Sequence, residues 1–309
     1  MTIMKPSVNC RMKSRTQRAG IVALIFLSVV TSLVAQQHNV TGMVLKVDAP
    51  SKTIVVSCRE IPGYMEAMAM PFSVRDAKTL VGLEPGTTID FSLVVDKDSS
   101  YAENIHARPF ESLELDPTEA RRLKLIENAM ATHPSTKDVV RLGEPIPDFA
   151  LTDQRGQRVS LSQLHGKVVA VTFIYTRCPL PDYCVRLSNN LGSLQRRFKD
   201  LMGRDLVLLT ILIDPIHEEK DALANYARTW KADARTWHFL TGSVSEIREL
   251  CRKFDMDFYP DEALLVHSFH TVVIDRNGRL ATNLEGNTFT SQQLGDLVQT
   301  VIARPQASR

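Results

Sequence analysis

Cysteine is scarce in this chain: five in 309 residues. That is too few for a disulfide-stapled scaffold, so each thiol needs its own explanation. Gly and Pro, 14 and 15 residues, are not inflated, and no internal repeat or low-complexity tract occurs. With 44% apolar and 23% charged residues, collagen, coiled coil and wholesale disorder are excluded. A surplus of one charge is missing too. Residues 1–35 carry Lys5, Arg11, Lys13, Arg15 and Arg18 and no acid, so a formal net charge of +2 becomes 2 − 5 = −3 for the remainder. A mildly acidic body argues against nucleic acid as a partner, because that binding is driven by positive charge against phosphate.

A long apolar run is also lacking. The stretch Ile21 to Ala35 falls short of the ~20 residues of a membrane span and follows the basic segment RMKSRTQR. It fits a secretory signal with a cleavage point after Ala35, although Leu33 is large for its place, or an uncleaved anchor. Residues 1–35 are therefore expected to be a signal peptide or membrane anchor, with the positive side and Cys10 in the cytoplasm. The body is expected to be exported to the periplasm, with membrane contact only through an uncleaved N-terminus. An oxidising compartment lets paired thiols form a disulfide.

The body divides by pattern. From 38 to 107 the reading is all-β: TGMVLKVDAPSKTIVVSC alternates apolar and polar around a turn at Asp48–Ser51, and PFSV and TIDFSLVVD follow around a turn at Glu84–Gly86. This spacing suggests a small five-stranded, OB-like barrel. Residues 108–141 read as a helical linker, starting near Asp116–Glu119. From 142 to 305 strand and helix alternate. KVVAVTFIYT and DLVLLTILID are near-continuous β-branched runs, as central strands buried on both faces should be. Helices are expected over about 186–202, 219–231, 245–254 and 291–303, and HTVVIDRNGRLATNL is a hairpin turning at Asn277-Gly278. The sum is a thioredoxin-like α/β layer.

The first central strand ends in YTRCPLPDYCVRLS. Pro179 and Pro181 keep Cys178 on a loop, and Cys184 falls at or near the start of the next helix, whose positive dipole end favours a thiolate. A thiolate serves both disulfide exchange and soft-metal binding, and the carboxyl end of a central parallel strand is where open α/β sheets place ligands. A plain structural disulfide is the competing reading. Residues 142–303 resemble the Sco/SenC family of copper-delivery proteins through IPDFALTDQRGQRVSLSQLHGKVVAVTFIYTRCP, LTILIDP, WHFLTG and VHSFHTVVIDRNGRL. The resemblance implies copper held by two Cys and one His, which map onto Cys178, Cys184 and His267. The family spacing is C-x3-C, whereas this chain has five residues between its cysteines, a length that equally suits a redox role. His270 is the runner-up to His267. No Pro occurs from Asp261 to Arg304, so the cis-proline usual in thioredoxin-type oxidoreductases is absent, which tilts against a general disulfide exchanger. Asp214 reads as structural or as holding a ligand in place, and Cys251 as a core thiol on a helix.

A second soft cluster lies in SCREIPGYMEAMAMPFSV: Cys58, Met65, Met68 and Met70. Met68 and Met70, two apart, share one face of a strand, and thioether and thiolate select Cu(I). Met as simple core filler is the competing reading. Residues 40–106 resemble the CusF-like periplasmic copper-binding barrel. The two Met ligands map onto Met68 and Met70, the His position falls at or beside Cys58, and the Trp position falls near Met65. The family's His and Trp are both missing, and Tyr64 partly replaces the aromatic lid.

Four functions follow. The first is an exported copper metallochaperone handing copper to an acceptor protein, by resemblance a subunit of cytochrome c oxidase. The second is an enzyme, a thiol-disulfide oxidoreductase whose catalytic pair Cys178 and Cys184 acts on the Cys pair of a copper acceptor, with a thiol reductase to regenerate it. The third is a copper-tolerance module. The fourth is a peroxidase, for which Thr176 and Arg177 offer only a partial likeness.

Overall fold

The structure, a computed structural model, describes residues 36–96, 99–108, 139–178, 181–216, 221–256, 258–261 and 264–305, with the backbone alone for 181, 182, 259–261 and 264–267. The expected signal or anchor and nearly all of the expected helical linker lie outside the described residues. Among those described, no helix is long and apolar enough to cross a membrane.

Strands β1 (Gln36–Asp48), β2 (Thr53–Cys58), β3 (Met68–Val74), β4 (Thr88–Val95) and β5 (Ser100–Ala107) close a barrel in the order β1-β2-β3-β5-β4. Alternation drives it: Ile54 and Val56 of β2 face Phe72 and Met70 of β3 across the ladder, and Ile54, Val56 and Phe72 are buried in the barrel core. The turn at 48–51 is present, with Asp48 accepting from the Ser51 amide (3.2 Å).

The second half builds a seven-stranded sheet in the order β14 (Leu280–Glu285), β13 (His270–Ile274), β8 (Val168–Ile174), β9 (Leu206–Leu212), β10 (Trp237–Thr241), β6 (Ala150–Asp153) and β7 (Arg158–Ser160). Its centre is β8 (Val168–Ile174) parallel to β9 (Leu206–Leu212), all fourteen residues buried. Helix α1 (Arg186–Arg197) makes the crossover between them, α2 (Ala222–Thr229) leads to β10 (Trp237–Thr241), and α3 (Val244–Lys253) and α4 (Ser291–Ile302) follow. The α3 and α4 starts carry capping boxes, Ser243 with Glu246 and Thr290 with Gln293. Strands β13 (His270–Ile274) and β14 (Leu280–Glu285) form the hairpin, the Asp275 carboxylate accepting from the Asn277 and Arg279 amides at its turn. This is the thioredoxin-like layer.

Several elements differ from the sequence reading. Helix α1 stops at Arg197 although the apolar spacing runs on through Phe198 and Leu201. There the backbone tightens into turns, Leu201 donating to the Phe198 carbonyl (2.8 Å). Strand β10, the edge hairpin β6 (Ala150–Asp153) and β7 (Arg158–Ser160), and the ribbon β11 (Phe258–Asp261) and β12 (Leu264–His267) carry too few residues for a period to register.

Barrel and layer belong to one compact unit. Met43 and Leu45, on the outer face of β1, are buried with Leu294, Leu297 and Val298 of α4 and Leu284 of β14. Polar contacts fix the fit: Ser57 donates to Asp296 (2.7 Å), Thr282 to the Pro85 carbonyl (2.6 Å), and Gln292 to the Ala67 carbonyl (2.6 Å). At Gly86 (φ +100°) a Cβ would meet Thr282 Oγ1 at 2.4 Å, so this approach requires glycine.

Candidate metal centres

The cysteine pair follows β8. The chain turns at Tyr175–Cys178, the Cys178 amide donating to the Tyr175 carbonyl (3.2 Å). A one-turn π-helix over Pro181–Val185 then enters α1. Cys184 lies inside that turn, 1% exposed, while Cys178 is half-buried. The dipole effect expected at a helix start is overridden at Cys184. Its thiol is pushed far above the ordinary cysteine range, first by its hydrogen bond to Cys178 and then by burial. The sulfurs are thus within hydrogen-bonding reach of each other. Both are reduced.

The loop is anchored. Arg177 pairs with Asp214 at 2.6 Å, and Asp214, 5% exposed, stands just past β9, where Ile213 donates to the Ile174 carbonyl (2.9 Å). Tyr226 of α2 shares a hydrogen bond with Ser188 (3.0 Å). Burial raises its phenol, and the two cysteines add to that shift. The ring of Tyr183 packs on Phe269 at 4.8 Å between centroids.

His267 ends β12, and the ladder sets its Cα opposite Phe258. Phe258 is buried in the cluster that contains Cys184 and against which Cys178 packs. His270, three residues on, opens β13 and is a satisfied core residue. It lies 2.9 Å from Asn283, whose amide donates to the Phe254 carbonyl, and burial lowers its pKa. Cys251 is buried in α3 among core residues. Among the described residues no three His, Cys, Asp or Glu side chains form a metal-sized cluster; the side chain of His267 lies outside them.

The second cluster stands at one mouth of the barrel. Strands β1 and β3 start at this end and β2 finishes at it, which follows from the antiparallel β1–β2 and β2–β3 ladders. Cys58 is directly opposite Met68 and Val56 opposite Met70, so the three sulfur side chains share the inward face. β3 meets β5 only at Ser73 and Val74 among the described residues, which leaves the Met68–Met70 end of β3 at an open rim. Exposure grades accordingly: Cys58 is 1% exposed, Met70 half-buried, Met68 43% exposed. Gly42, facing Cys58 across the ladder, has no room for a side chain, since a Cβ would meet Val56 Cγ1 at 2.4 Å. Burial pushes the Cys58 thiol up to about 12, and it donates weakly to the Val56 carbonyl (3.8 Å). Met65 packs against the barrel core from the loop after β2.

Sequence reasoning missed one residue here. His38 lies on β1 opposite Leu93, a core residue, and so faces inward; its ring stacks on Tyr64 at 3.9 Å and 20°. Its Nε2 is buried and, among the described residues, has no hydrogen-bond partner. The alternation Val40, Gly42, Val44, extended back by one step, was the available signal.

The donor sets suit a soft, low-coordinate ion: two thiols at one centre, a thiol and two thioethers at the other. Residues 37–107 match the family model described as copper binding periplasmic protein CusF. A SCO1 protein homolog of Bacillus subtilis is 30% identical over 113 residues, covering 36% of this chain and 57% of that protein. Protein sco1 of Schizosaccharomyces pombe is 27% identical over 154 residues, covering 47% and 56%. The chain thus spans little more than half the length of these relatives. A crystal structure of yeast Sco1 with copper bound is 25% identical, covering 54% of this chain and 91% of that one, with a TM-score of 0.45. Copper is the metal that the barrel match supports. Residues 142–303, more than half of the chain, match the SCO1/SenC family model, and the chain belongs to the SCO1/SenC family.

Proposed function

We propose that this is an exported copper carrier that takes up Cu(I) on Cys58, Met68 and Met70 of the barrel, residues 38–107. It would carry copper on Cys178, Cys184 and His267 of the layer, residues 142–305, and deliver it to a respiratory copper site such as that of cytochrome c oxidase. One observation carries the reading: two sulfur clusters lie toward the same end of one compact unit. Strand β8 runs into Cys178, and antiparallel β13 and β14 bring Phe269 and residues 286–292 to that same end. From there Gln292 and the Thr288 carbonyl bind the backbone of Ala67 and the side chain of Arg59, the neighbours of Met68 and Cys58. Copper is the cargo. Sulfur ligands exchange it through shared intermediates, so transfer between soft sites needs no energy source. Export is supported by the basic and apolar character of residues 1–35 and by the periplasmic description of the barrel family.

The hydrogen-bonded thiols favour a second role. Cys178, as thiolate, attacks a disulfide in the acceptor. The resulting mixed disulfide is resolved by Cys184, which yields the reduced acceptor and a Cys178–Cys184 disulfide; a thiol reductase returns the pair to dithiol.

Anaerobic titration of the reduced chain with Cu(I) is expected to give two equivalents, and the Cys178→Ser/Cys184→Ser variant one. Two equivalents in that variant would remove the layer from the reading. Offered the soluble copper domain of an oxidase subunit in reduced, copper-free form, the loaded protein is expected to metallate it. Reduction of the oxidised domain without copper transfer would move the function to the second role.

A further inference from the structure

The barrel mouth holds an imidazole nitrogen that nothing in the fold explains. His38 faces inward because its ladder partner Leu93 does, and because Val40 two residues on is 2% exposed in the barrel core. It sits near the start of β1, the end of the barrel to which Cys58, Met68 and the loop 59–67 also belong. Its Nε2 is shielded from water and has no partner among the described residues. An unmet polar atom in that position is destabilising unless it has a ligand. A neutral imidazole with its proton on Nδ1 presents a lone pair on Nε2, the form in which histidine binds metals. Tyr64 lies flat on the ring and is itself 43% exposed, so it covers the imidazole from the solvent side. The loop that presents Tyr64 is closed by two bonds, Ile61 donating to the Met65 carbonyl (2.8 Å) and Met65 to the Ile61 carbonyl (3.0 Å).

We infer that His38 Nε2 is a further ligand of the barrel's Cu(I) site, beside the sulfurs of Cys58, Met68 and Met70, with Tyr64 as the aromatic cover that holds the imidazole in place. The inference rests on the copper reading of the barrel. It supplies an imidazole from β1, where the end of β2 has a thiol, and an aromatic from the loop one residue before Met65. Nitrogen beside thioether raises the site's preference for copper over ions that want oxygen ligands. A ring that is already stacked loses little freedom on binding.

The test uses the full chain carrying Cys178→Ser/Cys184→Ser, so that only the barrel binds, with Cu(I) alone as the probe against a chromophoric Cu(I) chelator. His38→Phe keeps the stack and the burial but has no lone pair, and His38→Gln keeps a polar group at the rim. Both are expected to weaken Cu(I) binding by at least about 10-fold, the lower end of what even outer partners of a metal are worth. Copper X-ray absorption is expected to show an imidazole scatterer beside sulfur in the parent and sulfur alone in His38→Phe. Tyr64→Ala is expected to weaken binding less than either, with the imidazole scatterer retained. Unchanged affinity in both His38 variants, or a sulfur-only spectrum in the parent, overturns the assignment of His38 and leaves the barrel a copper site. No Cu(I) bound by the parent overturns the barrel reading itself. Circular dichroism on each variant identifies any loss of fold, and the parent spectrum decides the question even if both variants unfold.

Discussion

The two sulfur clusters differ in what guards them. At the layer, two thiols share one hydrogen bond on a loop pinned by the Arg177–Asp214 pair, and oxidation can join them. At the barrel mouth, one thiol is buried beneath two thioethers, and the other described cysteines lie in a different core cluster. On the proposed reading one centre is a redox switch as well as a ligand set, while the other has no disulfide to form within the described residues. A chain with both can keep hold of copper at the barrel under conditions that close the layer.

The sharpest way to break this contrast is oxidation. Treatment with a mild thiol oxidant, then removal of the reagent, is expected to abolish one of two Cu(I) equivalents and to leave the one lost by Met68→Leu/Met70→Leu. Loss of both equivalents would erase the difference between the centres.

The next effect tests whether the centres share one body. Met43, 1% exposed, lies between barrel and layer. Met43→Ala is expected to destabilise the chain by about 2–5 kcal/mol in denaturant unfolding, whereas Val81→Ala, at an exposed site, changes it by less than about 0.5 kcal/mol. A small Met43 effect would mean that the docking contributes little.

The smallest effect is in protons. Copper must displace the proton of Cys58, whose thiol burial has pushed up to about 12. Barrel affinity is therefore expected to rise about tenfold per pH unit between about pH 7.5 and about pH 9, the signature of one displaced proton. Cys58→Ala, which removes the thiol and leaves the two thioethers and the His38 imidazole, is expected to bind more weakly with a flat profile. The chelator competition, repeated in the Cys178→Ser/Cys184→Ser background, measures both slopes. A flat parent profile would remove Cys58 from the ligand set.

Much of this was legible in the order of residues. The unbroken apolar runs of β8 and β9 announced central strands, the Asn277-Gly278 turn announced a hairpin, and alternation announced the barrel. The places of Cys178, Cys184, Met68 and Met70 followed from those elements. What stayed hidden has a common cause. Short elements such as β10 and β6 take their structure from the ladders on either side, which no local period records.

Sequence by itself determined the two folds and the sulfur-rich chemistry, because hydrophobic period and residue type are local properties of the chain. Only the tertiary structure decided that Met43 and Leu45 are interior, since a second body covers their face of β1. It alone decided that Cys184 keeps its proton against a helix end, because burial and a neighbouring sulfur outweigh the dipole. It alone brought His38 to Tyr64 and left its Nε2 without a partner among the described residues, because only barrel closure places the start of β1 beside the loop that follows β2.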